Sequence, residues 1–273
     1  MRFGEVMPNS IRIPFFGDIV GEPGRKAVYE RLPGLLKEEE IDFVIANGEN
    51  IAGGRGITPK LCIELLRAGI AVVTTGDHVW DQKEIVEYFP TEPRLLRPLN
   101  WPEGTTGAGS VVLDTAKGQV GVVNVQGRVF MQPPLDDPFG AVDREVARLH
   151  DKGVKVIFVD FHAEATSEKI GFGHHLDGKV SAVAGTHTHV QTADERILPK
   201  GTAVLTDVGM CGPHHSVLGR AVDSVVWRFR TGMPTRFPIA KGSVELGGMI
   251  VDVDTETGMA IAVKRLREIV DEG

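Results

Sequence analysis

Short apolar runs recur along the chain, each closing on glycine and polar residues, and most of them lead into a stretch with helical spacing. "IRIPFFGD" (11–18) before "PGRKAVYERLPGLLKEEE" (23–40) sets the theme. "IDFVIANGEN" before "TPKLCIELLRAG", and "IAVVTTGDHVWD" before "QKEIVEYF", repeat it. A short apolar run bounded by turn residues reads as a buried strand, and repeated strand–helix units imply a largely parallel sheet covered by helices. The rhythm changes at "GSVVLDTAKGQVGVVNVQG" (109–127), which reads as a hairpin around Lys117-Gly118 and makes the sheet mixed. It returns as helix in "PFGAVDREVARLHDKG", then strand in "VKVIFVDFHAE" and strand again in "KVSAVAGTHTH". "GTAVLTDVG" reads as a strand, the stretch from "MCGPHHSVLGR" to Lys241 as loop and helix, and "VELGGMIVDVDTETGMAIAVKRL" as a closing hairpin. Neither a linker-like shift nor a repeat interrupts this pattern. The expectation is one α/β domain over residues 11–273, with sheets packed together and helices outside, behind a loose extension at 1–10.

Bulk properties narrow the partners. A chain of 273 residues with 42% hydrophobic content can bury a sizeable core. A net charge of -7 argues against duplex nucleic acid and anionic membrane as partners. No run approaches membrane-spanning length, and Cys62 and Cys211 stand far apart outside any CxxC spacing, which fits a reducing cytoplasm. Oligomeric state is left open, a homo-oligomer included.

The polar residues fall in a pattern. Asp18, Glu49, Asn50, Asp77, His78, His162, His187 and His189 sit at or just beyond the ends of the expected strands. In a mostly parallel sheet those carboxyl ends share one edge, where loops converge on a crevice. Carboxylates, an amide oxygen and imidazoles suit divalent first-row metals without any thiolate. His187 and His189 flank Thr188: on an extended backbone they would point to one side, and at a turn they could reach two ions. Any one of these histidines alone reads more simply as a strand cap; the joint pattern points to a metal centre.

"GD" (17–18), "NGEN" (47–50), "GDH" (76–78), "FH" (161–162) and "GTHTH" (185–189) resemble the ordered blocks of calcineurin-like metallophosphoesterases. More narrowly, "FFGDIVGEPGR", "ANGENIAGGRGIT", "HVWDQKEI", "DFHAEATSEK", "AGTHTHVQTAD" and "TDVGMCGP" resemble the YmdB branch, bacterial 2',3'-cyclic-nucleotide 2'-phosphodiesterases. The resemblance implies a sandwich of two mixed β-sheets flanked by helices (α/β/β/α). It also implies two metal ions, iron or manganese, that share a hydroxide nucleophile. Asp18, Asn50 and His189 would bind one ion, Asp77, His162 and His187 the other, with Glu49 between them and His78 as the catalytic histidine.

Two positions depart from the wider pattern. Val20 stands where a histidine ligand is usual, with Asn50 as the substitute, and Asp77 stands where asparagine is usual. The added carboxylate strengthens cation binding and opposes an incoming phosphate. The small phosphate-ester substrate leaves a broad phosphatase or a low-turnover, metal- and nucleotide-binding regulatory protein as alternatives. A dinucleotide-binding oxidoreductase fits poorly, because the first turn reads "GDIVGEPG" and lacks the glycine fingerprint. Arg55 in "AGGRGIT" is a candidate phosphate contact, with a plain glycine-rich turn as the equal alternative. His174 and His215 could line a pocket but read more simply as solvated, and Cys211 reads as a small buried apolar residue.

Overall fold

A computed structural model describes residues 9–271 of the chain. One sheet contains β1 (Ser10–Phe16), β2 (Asp18–Ile19), β3 (Ile45–Asn47), β4 (Val72–Thr74), β11 (Met210–Pro213), β12 (Val244–Asp254) and β13 (Ala260–Val270). Its order is β2-β11-β12-β1-β3-β4, with β13 paired to β12. The other contains β5 (Ser110–Thr115), β6 (Gly118–Gln126), β7 (Val156–His162), β8 (Ala182–Thr186), β9 (Arg196–Ile197) and β10 (Ala203–Leu205), in the order β5-β6-β7-β8-β10-β9. Parallel pairs (β1 with β3, β3 with β4, β6 with β7, β7 with β8, β8 with β10) lie beside antiparallel ones in both sheets. The two sheets are mixed, as expected.

Strand alternation sorts the side chains into layers. Ile11, Ile13 and Phe15 of β1 meet Phe158 of β7 and Ala182 and Ala184 of β8 between the sheets. The Phe15 and Phe158 rings lie 5.2 Å apart there. Each ring so buried contributes about 1.5–3 kcal/mol. Phe16, Ala46 and Val73 face the other way, onto α1 (Gly21–Glu38) and α2 (Pro59–Arg67) through Val28, Leu32 and Leu65. Ile157, Val159 and Phe161 likewise pack on α4 (Pro138–Asp151) and α5 (Thr166–His175). The result is the α/β/β/α sandwich.

Four details differ from the sequence expectation. Residues 1–8 of the expected loose extension lie outside the described residues, but Ser10 is buried, opens β1 and pairs with Asp254. Its position at the start of a full-length ladder holds it. "MCGP" is the strand β11, inserted between β2 and β12, whose four residues with glycine and proline carry no strand periodicity. A crossover helix, α5, separates β7 from β8, its apolar face obscured by Gly171, Gly173 and two histidines. The helix expected in "QKEIVEYF" is only one turn, α3 (Ile85–Tyr88), followed by a 3-10 turn containing Pro90. Among the described residues, no helix is long and apolar enough to cross a membrane.

Candidate metal centre

The layer between the sheets turns polar where the parallel strands end. On β7 the alternation that buries Val156 and Phe158 continues through Asp160 to His162, and on β8 it passes from Ala184 to Thr186. Asn47 at the end of β3 and Thr74 at the end of β4 face them from the other sheet, and both donate hydrogen bonds to Asp160 Oδ2. Thr186 Oγ1 donates to Asp160 Oδ1 at 2.7 Å and lies 2.9 Å from His162 Nδ1. Burial pushes the Asp160 carboxyl up to about 7, with the Thr74 and Thr186 hydroxyls and Asn47 pulling it back. With Asp160 ionised, Thr186 spends its proton there and accepts from His162 Nδ1–H. His162 Nε2 is then left bare.

That nitrogen faces a crowd of possible ligand atoms. Asp77 Oδ1 lies 3.0 Å from it, Glu49 Oε2 3.2 Å and His187 Nδ1 3.1 Å. The ligand atoms of Glu49, Asp77, His162 and His187 all fall within 4.8 Å of one another. Glu49 Oε2 is buried with no hydrogen-bond partner. Burial, then the Asp77 and Asp18 carboxylates, push the Glu49 carboxyl well above its usual range. Burial also works against charge on Asp77, but the adjacent His162 and His187 rings outweigh it and hold that carboxyl low. His162 is held below the usual imidazole range by burial, whereas on His187 the Asp77 carboxylate overcomes burial and raises it.

A second group lies on the other side of Glu49. Asn50 Nδ2 is 2.9 Å from Glu49 Oε1, 3.1 Å from His189 Nε2 and 3.5 Å from Asp18 Oδ1. His189 Nδ1 donates to Leu218 O at 3.3 Å, which leaves Nε2 facing Asn50 and Asp18. The two histidines of "GTHTH" therefore serve different groups. A turn allows it: His187 and His189 both have positive φ, 97° and 66°, and Thr188 between them is anchored through N and Oγ1 to Asp207 Oδ2. Asp207 is in turn paired with buried Lys169 at 2.6 Å.

The donor set fits a pair of hard-to-borderline cations, with two carboxylates, three imidazoles and an amide gathered around the buried Glu49 carboxylate. The unpartnered Glu49 Oε2 is the kind of orphaned atom that a cation satisfies. Space around it is kept by Gly76, where a Cβ would lie 2.2 Å from Glu49 Oε2 and 2.3 Å from His162 Nε2.

The seven residues expected to hold metal and His78 come together at one edge of the sandwich. His78 lines a cleft of about 390 Å³ together with Glu49, Asn50, His187 and His189. Its Nδ1 lies 3.1 Å from Asp81 Oδ2, and burial lowers its pKa, with Asp77 and Asp81 opposing. Arg55 is different: its exposed side chain pairs with Asp81 Oδ2 at 2.8 Å, and the cleft is lined by Gly54 and Arg220. His174 and His215 are exposed and lie outside the cleft, and buried Cys211 donates Sγ–H to Gly247 O.

Residues 15–266 match the family model described as "YmdB-like protein". The chain belongs to the YmdB-like family. Among its YmdB-like relatives, a Bacillus subtilis protein described as 2',3'-cyclic-nucleotide 2'-phosphodiesterase is 48% identical, over 94% of this chain and 96% of that protein. The crystal structure of a Mycoplasma pneumoniae protein described as a novel phosphatase superposes with a TM-score of 0.91 at 35% identity, covering 97% of this chain and 96% of the other. A 5'-nucleotidase precursor from Thermus thermophilus, at 14% identity and TM-score 0.61, shares the fold over 96% of this chain and 55% of its own. The two-sheet sandwich of this chain is thus shared with that phosphatase and, as a fold, with the nucleotidase.

Sequence reasoning missed Asp160, Thr186 and Asp207, which support the centre from behind, and Arg220, which borders its cleft. The available signal was Asp160 itself, an acid on the inner face of an otherwise apolar strand, two residues before His162.

Proposed function

We propose that the protein is a dinuclear metal-dependent phosphodiesterase that opens 2',3'-cyclic nucleotides to 3'-nucleotides. The observation that carries the reading is the buried, unpartnered Glu49 Oε2 between two groups of nitrogen and oxygen donors at the floor of a cleft. The name of the B. subtilis relative supplies the substrate class. Asp18, Asn50 and His189 would hold one ion and Asp77, His162 and His187 the other, with Glu49 between the two groups. Asn50 would serve through Oδ1, its amide turned from the orientation in which Nδ2 faces Glu49 and His189. Two cations, iron or manganese, would supply a nucleophile from water at neutral pH and draw charge from the phosphoryl oxygens.

The chain's own residues position the substrate and move a proton. Water adds across the P–O2' bond: its oxygen joins phosphorus, the bond to O2' breaks, and that oxygen takes a proton. His78 faces the cleft with Nδ1 committed to Asp81, so Nε2 is the donor to O2'. The phosphodiester anion brings negative charge beside an imidazole that burial keeps neutral, and so favours its protonated form. A donor so placed contributes about 10²–10⁴-fold. The reaction is that of a small-molecule enzyme, and we place it in the cytoplasm.

Asp77 supports a second reading, a low-turnover regulatory protein, because its charge repels the phosphate that the site must admit. One experiment decides between them: hydrolysis of 2',3'-cyclic AMP by protein reconstituted with manganese or iron, with the product phosphate located. Metal-dependent 3'-AMP formation, slowed by His78→Ala with both metals retained, is the expected result. Two bound metals without turnover would support the regulatory reading.

A further inference from the structure

One wall of the cleft is apolar and faces water. Leu218, Phe229 and Phe237 line it, and they are 45%, 78% and 39% exposed. Trp80, by contrast, packs its ring against Phe89 and Trp101. Phe229 stands on α6 (Val222–Thr231), one turn beyond buried Val225 and therefore on the same side of the helix; both line the cleft. Trp227 lies on another face of α6, against a separate hollow.

The wall is fixed to the metal centre at two points. Leu218, in the left-handed region at φ 53°, turns its carbonyl onto His189 Nδ1. Arg220 donates to Gly53 O, Gly54 O and Phe237 O, tying the wall to the turn that follows Glu49 and Asn50. A rigid, exposed aromatic surface beside a phosphate-binding centre matches the π-face of a base, which stacks whatever its hydrogen-bonding edge.

We infer that Phe229 and Phe237 form the nucleobase subsite, on which the base of a 2',3'-cyclic nucleotide stacks while its phosphate sits at the metal centre. The inference rests on the proposed phosphodiesterase reading for the position of the phosphate. Stacking is made equally before and during reaction, so it lowers KM and leaves kcat alone. Purines, with the larger face, gain more from it than pyrimidines.

The test compares manganese-loaded wild type with Phe229→Ala, Phe229→Trp and Trp227→Ala on two substrates, 2',3'-cyclic AMP and base-free glycerol 1,2-cyclic phosphate. Phe229→Ala should raise KM for 2',3'-cyclic AMP about tenfold, the low end of what losing one stacked base costs. It should leave kcat and the glycerol substrate unchanged, with Phe229→Trp restoring KM and Trp227→Ala behaving as wild type. Equal changes on both substrates, or none on 2',3'-cyclic AMP, would overturn the subsite. Calorimetric binding of 3'-AMP gives a readout without turnover. A protein that hydrolyses neither substrate yet loses 3'-AMP affinity in Phe229→Ala keeps the subsite and loses the phosphodiesterase reading; equal affinity in both proteins removes the subsite.

Discussion

The two groups that meet at Glu49 are built on different foundations. The group of Glu49, Asp77, His162 and His187 is anchored in the sandwich through His162, which is fully buried at the end of β7 and is held through Thr186 by Asp160, to which both sheets donate. In the other group Asp18 opens β2, Asn50 follows Glu49 in its turn, and the outer nitrogen of His189 is fixed by one backbone carbonyl, that of half-exposed Leu218. The deep group is rigid because the core is rigid. The other is coupled through Leu218 to the apolar wall of the cleft.

The largest break in this comparison comes from the shared residue. Glu49→Ala should empty both halves and lower turnover about 10³-fold or more, whereas His162→Ala should empty only the deep half and leave one metal per chain. Metal analysis after gel filtration checks this, and equal losses in the two variants would show that the halves are not separable. Thr186→Val keeps the shape of the relay and removes its hydroxyl, so metal affinity in the deep half should fall about 10–100-fold while the His189 half is unaffected. Competition with a graded chelator reads it out.

Asp77→Asn takes one negative charge from the deep half. It should weaken cation retention there by about tenfold and lower KM for the anionic substrate. Unchanged retention and unchanged KM together would mean that the charge is without consequence. The smallest effect belongs to a carboxylate with ordinary partners. Burial works against charge on Glu145, but Arg148 and Ser110 outweigh it and hold the carboxyl low. A depressed folded pKa adds stability above the unfolded value and loses it as pH falls through the folded one. Glu145→Gln should therefore cost about 1 kcal/mol at pH 7, with the gap to wild type closing below about pH 4 in thermal melts.

What the sequence disclosed follows from range. Strand ends are local, so Asp18, Glu49, Asn50, Asp77, His162, His187 and His189 could be picked from apolar runs, and the family blocks divided them between two ions. β11 was hidden because its four residues become a strand only between β2 and β12. Asp160 with Asn47 and Thr74, and Arg220 with Gly54, are contacts across more than 80 residues, and no local pattern encodes them. Arg55 shows the same limit from the other side: it follows Asn50 closely, yet its guanidinium turns to Asp81.

The turn at Thr188 bears on how the centre is filled. Its shape is set by Asp207 and Lys169, a pair buried behind the histidines and distinct from the donors assigned to the ions. The polypeptide itself therefore sets His187 and His189 apart, and the spacing of the two rings needs no ion to hold it. Ions bound there would exchange with the surrounding pool, so the metal carried would follow availability as well as ligand type and geometry.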